Sequence, residues 1–278
     1  MPLAVLREML DEHGLADHAE ALAPFAHLEV ALVPDDGATV TRLGGAPDVP
    51  AGFAWPCHRW PQAEVAGWPD YALADLARAR AAGQVADDGD DVVMPLSYLA
   101  TIDLAAVRPC HPDARLPATG RLLLFASVAT DIADARFAKR VAAAVIHVDV
   151  DPATLTPMAQ PPTCDPFPPT AIGLRPAPRL DLSLSFEDEQ ALLARLTDDR
   201  QRAGVRAALT RSHALLPAAA DELAGPMPPP GWVALARLVD DPTAGFTVGD
   251  ASWLTFAIPA PDLAAGRWAA ACASVFIG

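Results

Sequence analysis

Apolar residues recur with a helical period at the start of the chain. Leu6 and Leu10 fall on one face with charged residues opposite, which predicts an amphipathic helix. A second short helix is predicted over residues 15–23, and the loose alternation of residues 27–33 predicts a strand. Residues 1–40 are therefore interpreted as N-terminal helices followed by one strand.

Apolar runs and helical repeats follow one another further along the chain. Strands are predicted for residues 96–104, 121–128 and 141–150, where apolar residues continue with few interruptions. Helices are predicted for residues 185–196, where leucines repeat on one face, and for residues 203–216. This mixture predicts an α+β fold with N-terminal and central helices.

The last part of the chain echoes the middle, which predicts an internal duplication. Three blocks match in order: LATI (99–102) with LARL (235–238), LLLFA (122–126) with WLTFA (253–257), and RFA…AAAVI (136–146) with RWA…CASVFI (267–277). The interval between the second and third blocks is the same in both copies. We therefore expect two similar β-rich halves in equivalent places in two sheets.

The chain length of 278 residues allows one large domain with its own core. Residues 152–178 are so rich in proline that they must be extended or irregular. We expect a single domain in four parts. The parts are the N-terminal helices and strand (1–40), a first β-rich half (41–150), a proline-rich segment with helices (151–231) and a second β-rich half (232–278).

A segment dense in Gly, Pro and Trp begins the first β-rich half. Prolines interrupt regular hydrogen bonding there, but Phe53 and Trp55 can anchor the segment by packing. We expect residues 41–60 to wrap over the core, with Gly44 or Gly45 at positive φ.

Charge narrows the range of partners. The chain has 35 acidic against 20 basic residues and a formal charge of −15, which argues against binding nucleic acid or an anionic membrane. No apolar run is long enough to span a bilayer or to form a signal peptide, and the four cysteines show no CxxC pair. These features predict a cytoplasmic protein with reduced thiols and a protein partner of basic charge.

Four motifs stand out along the chain: TRLGGAPDVP (41–50) followed by Trp55-Pro56, LATID (99–103), LPATGRLLLF (116–125) and GDASWLTF (249–256). In this order they resemble the YwqG-like family, a bacterial domain family of unknown function. The chain departs from the family pattern at Thr101, where the family has Gln, and in the reduced segment after His213. The resemblance implies no established reaction, so it assigns no catalytic residue.

The family-like motifs contain the candidate ligand-binding residues. Arg42 beside Gly44 and Gly45 could bind an anion through its guanidinium and exposed amides. The alternative is a Gly-Gly turn in which Arg42 satisfies loop carbonyls. The full candidate set is Arg42, Gly44, Gly45, Trp55, Asp103 and Asp250.

Two groups of residues have the chemistry of metal ligands. His147, Asp149 and Asp151 alternate along a predicted strand and could hold a divalent ion on one face. The alternative is an ordinary solvated strand face. The dipeptides Cys57-His58 and Cys110-His111 offer zinc ligands, although adjacent residues on a strand point apart. No cofactor is expected.

These patterns contain no complete catalytic constellation. There is no GxSxG motif, and His213 is interpreted as a packed or capping histidine on an apolar helix. The sequence therefore favours a non-enzymatic binding or protein-interaction module, in which tryptophans and rigid proline loops supply a surface that orders at low entropic cost. The alternative is a metal-assisted hydrolase that uses the strand containing His147, Asp149 and Asp151.

Overall fold

The structure is a computed structural model, and the description covers most of the chain. The described residues are 2–37, 39–68, 70–83, 85–111, 115–127, 141–161, 164, 170–182, 186–196, 198–209, 213–216, 231–242, 245–247 and 253–276.

Helices form where the helical periodicity predicted them, with one important exception described below. Their bounds are α1 Leu3–Asp11, α2 Ala19–Leu22, α3 Gln62–Val65, α4 Asp70–Ala81, α5 Leu104–Val107, α6 Phe186–Arg195, α7 Asp199–Leu209 and α8 Ala260–Ala264. Leu6 and Leu10 of α1 are buried in a cluster with Leu196 and Val205 from the central helices. None of the described helices combines the length and the apolar character that crossing a membrane requires.

Most strands join one large sheet. The strand bounds are β1 Ala26–Pro34, β2 Arg42–Leu43, β3 Asp48–Val49, β4 Cys57–Pro61, β5 Ala86–Asp88, β6 Asp91–Pro95, β7 Ser97–Asp103, β8 Arg121–Ala126, β9 Ala143–Val148, β10 Thr156–Pro157, β11 Ile172–Leu182, β12 Ala214–Leu215, β13 Trp232–Val239, β14 Trp253–Pro259 and β15 Cys272–Phe276. The large sheet has ten strands in the order β15-β14-β13-β12-β1-β11-β2-β7-β8-β9, and neighbouring strands are antiparallel.

The two ends of this sheet approach each other. Val141, just before β9, forms an isolated bridge with Ala273 of β15, and its N–H donates to the Ala273 carbonyl at 3.0 Å. The sheet is therefore a nearly closed barrel. Alternate residues of its strands, such as Val30 and Leu32 of β1, Ile102 of β7 and Phe256 of β14, contribute to one buried core.

Residues 41–60 cover part of the opposite face of the sheet, as predicted. Phe53 and Trp55 pack against a buried cluster that includes Phe125 of β8. Both Gly44 and Gly45 have positive φ, at 63° and 72°. The prediction for this segment is therefore confirmed.

The long strand β11 accommodates two prolines inside the sheet. Pro176 and Pro178 lie opposite Leu32 and Val30 of β1. Leu174 lies two residues before Pro176, so its amide points to the same side of β11 as the proline nitrogens. This amide donates to the Thr41 carbonyl at 2.8 Å, on the side of the strand away from β1. The proline nitrogens therefore point away from β1, toward the side on which β2 pairs. Strand β2 is too short to reach these positions, so no backbone hydrogen-bond donor is needed there.

Two sequence predictions are corrected by the fold. The helix expected over residues 203–216 begins at Asp199 and ends at Leu209, and Ala214–Leu215 form strand β12 between β1 and β13. His213 consequently precedes a strand instead of lying on a helix, because the end of this segment pairs with two distant strands. The β-rich parts also share one sheet instead of two, and the internal duplication is not shown by this fold.

Candidate functional site

The Arg42 side chain ties its own loop together. Its Nη2 donates to the Ala46 carbonyl at 2.7 Å and lies 3.0 Å from Asp48 Oδ2. Asp48 also contacts Arg121 Nη1 at 3.3 Å. This geometry agrees with the alternative in which Arg42 satisfies a loop carbonyl. Anion binding by Arg42 stays a prediction.

The two glycines of the motif connect the loop to its surroundings. The Gly44 amide donates to the Leu99 carbonyl at 2.7 Å, and the Gly45 carbonyl accepts a hydrogen bond from Gln160 Nε2 at 3.2 Å. A Cβ on Gly45 would lie 2.8 Å from the Cβ of Ala171. Glycine is therefore required at position 45 by both its φ and its close packing.

The remaining predicted ligand-binding residues also have intramolecular roles. Trp55 Nε1 donates to the Leu96 carbonyl at 2.8 Å. Asp103 caps α5, because its side chain accepts a hydrogen bond from the Ala105 amide. Asp250 lies outside the described residues. Ligand binding by this set stays a prediction, and each described side chain in it already has a structural function.

Thr101, where the family pattern has Gln, forms a buried pair with Tyr98. The two hydroxyl oxygens are 2.5 Å apart. Burial is the main cause that raises the pKa of Tyr98 to about 12. Both hydroxyl groups are therefore uncharged at neutral pH, and they form a hydrogen bond within strand β7.

Of the three residues predicted to share a strand face, His147 and Asp149 both reach Thr119, whose hydroxyl donates to Asp149 Oδ2 at 3.4 Å. Strand β9 ends at Val148, so both aspartates lie beyond it. Asp151 caps the following 3₁₀ turn through the Ala153 amide, and His147 Nε2 contacts the Thr119 carbonyl at 3.1 Å. Within the described ranges, no group of three or more His, Cys, Asp or Glu side chains could hold a metal ion. That finding also covers the two Cys-His dipeptides.

An open cleft lies at one end of the barrel, where β1 and β13 end and β12 begins. We call it the barrel-end cleft. Its volume is about 340 Å³. Its lining residues are Ala31, Leu32, Val33, Pro34, Arg179, His213, Val239, Asp240 and Asp241. The cleft therefore combines apolar walls with charged side chains.

His213 is the most deeply buried polar residue of the cleft, with 3% of its surface exposed. The Val239 amide donates to Nδ1 at 3.1 Å, so the neutral imidazole carries its proton on Nε2. Nε2 lies 3.7 Å from Asp241 Oδ2 and has no hydrogen-bond partner within the described residues. Burial is the main cause that lowers the pKa of His213 to about 4, so the ring is neutral at pH 7.

A buried ionic network lies beside the cleft. Arg237 Nη2 contacts Glu29 Oε2 at 2.8 Å, and Arg237 Nη1 lies 3.9 Å from Asp181 Oδ2. Arg179 Nε is 3.8 Å from Glu29 Oε1. Burial raises the pKa of Glu29, and Arg237 opposes this shift. Two carboxylates and two guanidinium groups therefore offset one another in formal charge.

Sequence reasoning missed this network and the cleft. Glu29 and Arg237 are charged residues within apolar strand runs, HLEVALV and WVALARLV, and both are almost fully buried. A charge that interrupts a buried strand is the signal that could have found them. Asp241 gives no such signal, because it follows a strand end in a polar turn.

The fold and its cleft define a class of protein: an α+β domain built on a nearly closed antiparallel barrel, with a cleft of apolar and charged residues at one end. Residues 41–275 match the family model of a domain of unknown function, DUF1963. The chain belongs to this family. A search of curated proteins finds no match.

Proposed function

We propose that the protein is a non-enzymatic binding module that recognises a basic protein partner through the barrel-end cleft. The observation that carries the proposal is the composition of this cleft. Val33, Pro34 and Val239 line the cleft together with Asp241, whose side chain is 27% exposed. A partner side chain that inserts there buries its aliphatic part and meets a negative charge.

The charge of the whole chain supports the same kind of partner. With a formal charge of −15, the protein attracts basic surfaces over long range and repels acidic ones. The apolar wall is accessible in the free protein, since Val33 keeps 38% of its surface exposed. An accessible apolar wall beside a charged group is the combination expected of a small recognition site.

The hydrolase alternative has no observation in its favour among the described residues. Its proposed metal ligands, His147, Asp149 and Asp151, do not form a group that could hold an ion. The cleft contains a histidine and an aspartate, but the Nε2 atom of His213 is sealed from solvent, so it is not placed to exchange a proton with a substrate.

Site-specific photo-crosslinking in the cells that naturally make this protein tests the proposal. A photoreactive amino acid is introduced at Val33 in the cleft and, as a matched control, at Val150, which is 46% exposed and does not line the cleft. We expect a discrete protein adduct from position 33 that is absent from position 150 and that excess unmodified protein competes away. Identical adducts from both positions, or none from position 33, would contradict the proposal.

Two finer assignments also remain proposals. One is membership of the YwqG-like group, which is consistent with the family to which the chain belongs. The other is the internal duplication. Its support is a register shift between Tyr98 and Ala100 in the β7–β8 pair and another between Ala234 and Ala236 in the β13–β14 pair, at positions that the sequence blocks align. Superposing residues 96–103 on 232–239 together with their partner strands tests it.

A further inference from the structure

We infer that Arg42 and Arg121 form a site for a phosphate group, with the backbone amides of Gly45 and Ala46 as further donors. We call it the arginine-pair site. It goes beyond the proposed function, because none of these four residues lines the barrel-end cleft.

The sheet brings the two arginines onto one face. Arg42 of β2 lies opposite Thr101 of β7, and Arg121 of β8 lies opposite Asp103 of the same strand. Thr101 and Asp103 are two positions apart, so their side chains and those of their partners point to the same side of the sheet. The barrel core lies on the other side, where the intervening Ile102 is buried.

One carboxylate oxygen serves both guanidinium groups. Asp48 Oδ2 lies 3.0 Å from Arg42 Nη2 and 3.3 Å from Arg121 Nη1, so the two cations are close together. Within the part of the chain that the structure describes, Asp48 is the one ion-pair partner of either arginine, and Asp103 uses its carboxylate to cap α5. The contact cluster therefore has two positive charges for one negative charge, which favours a further anion.

Arg42 is held in place before a ligand arrives. Its Nη2 donates to the Ala46 carbonyl at 2.7 Å, and its guanidinium also interacts with the buried hydroxyl of Tyr98. The Gly44 amide ties the same loop to β7 by donating to the Leu99 carbonyl. A group that is already fixed loses little conformational entropy on binding.

The site keeps donors that a small group can reach. A guanidinium has five N–H donors, and Arg121 contacts Asp48 through Nη1. The side chains of Arg42 and Arg121 are 16% and 13% exposed. The amides of Gly45 and Ala46 make no hydrogen bond within the described residues, so they add donors of the kind that bind anions in loops.

The shape of this donor set favours a tetrahedral oxyanion. Two side chains and a loop backbone approach from different directions, and the oxygens of a phosphate group also point in different directions, whereas those of a carboxylate share one plane. The formal charge of −15 repels anions at long range. Salt at physiological strength screens charges beyond about 8 Å, so the direct contacts decide the affinity.

The inference is tested by titrating the isotope-labelled full-length protein with inorganic phosphate, O-phosphoserine and acetate at constant ionic strength. The amide resonances of Gly45 and Ala46 report on the site, and that of Gly83, an exposed residue after α4, is the internal control. We expect saturable shifts at Gly45 and Ala46 with both phosphate compounds, and binding at least about tenfold weaker with acetate.

Three variants sharpen the test. Arg121→Gln should weaken phosphate binding about tenfold, whereas Arg7→Gln, which makes the same charge change on α1, should leave it unchanged. Arg121→Lys keeps the charge but not the planar fork of donors, so its affinity should fall between those of the natural protein and Arg121→Gln. Arg42 stays intact in these variants because it also holds its loop.

The outcomes decide as follows. Saturation with neither phosphate compound, equal or tighter binding of acetate, or an unchanged affinity in Arg121→Gln would each overturn the inference. Tighter binding of O-phosphoserine would support an esterified phosphate as the ligand, and tighter binding of inorganic phosphate would support the free ion. If Arg121→Gln does not fold, the comparison of the three probes on the natural protein still decides.

Discussion

Gly45 lies in the turn between β2 and β3 and has a φ of +72°. Substitutions at this position allow the cost of backbone strain to be separated from the cost of a steric clash. An L-residue in this conformation costs about 1–2 kcal/mol. An added Cβ would also lie 2.8 Å from the Cβ of Ala171 and 3.3 Å from its backbone. Real Cβ atoms do not approach this closely, so one of the two segments must move.

The expected size of the effect follows from these contacts. Overpacking adds about 1–3 kcal/mol to this cost. The added Cβ also reduces the conformational entropy of the unfolded chain, which offsets about 0.4–1 kcal/mol of the loss. Gly45→Ala should therefore lower the free energy of unfolding by about 1–5 kcal/mol. Gly45→Val should lower it further, because a β-branched side chain fits this conformation less well.

Gly52 provides the matched control. Its φ is +78°, but a Cβ added there would meet nothing within 4 Å. Gly52→Ala should thus show only the backbone strain, about 1 kcal/mol after the gain in the unfolded state.

Thermal and denaturant unfolding of the two alanine variants measure the difference. Since 1 kcal/mol shifts the midpoint of a chain of this size by about 2–4 °C, Gly45→Ala should melt several degrees below Gly52→Ala. Equal midpoints would refute the reasoning, because they would mean that the contact with Ala171 imposes no steric limit.

Three further predictions concern side chains described above. His213 has its pKa lowered to about 4 in the folded state, so the unfolded chain binds more protons between about pH 6.5 and 4. As the pH falls over that range, the free energy of unfolding of the natural protein should decrease by up to about 3 kcal/mol more than that of His213→Gln. Parallel pH profiles of the two proteins in urea unfolding would contradict this. Arg42→Ala should lower the unfolding free energy by about 1–2 kcal/mol through the lost bond to Ala46, and an unchanged midpoint would instead indicate a residue reserved for a ligand. Trp55→Phe should lower it by about 1–3 kcal/mol, because the buried Leu96 carbonyl loses its indole donor; a midpoint equal to that of the natural protein would show that another donor replaces it.

Local patterns were sufficient for the elements whose side chains repeat regularly. The periodicity of α1 and the apolar runs of β7 and β8 predicted those elements, because a helix or strand with one buried face must repeat its apolar positions. The packing of residues 41–60 could also be predicted, since prolines and glycines restrict the backbone and the aromatic residues need apolar contacts.

The site depended on contacts that the sequence does not encode locally. His213 lies beside Asp241 and the end of β1 only because β12 pairs with both β1 and β13. That pairing also overrides the helical composition of residues 203–216. Likewise, β9 ends at Val148, so the regular alternation His-x-Asp-x-Asp does not continue along one strand.

The sequence by itself thus determined α1, the strands β7 and β8, the covering segment 41–60 and the acidic character of the protein. The tertiary structure alone decided that ten strands join one nearly closed barrel and that a cleft forms at its end. The physical reason is distance along the chain: Glu29 and Arg237 form their ion pair across 208 positions. Such pairing depends on how the strands order themselves in the sheet, which no local pattern of polar and apolar residues specifies.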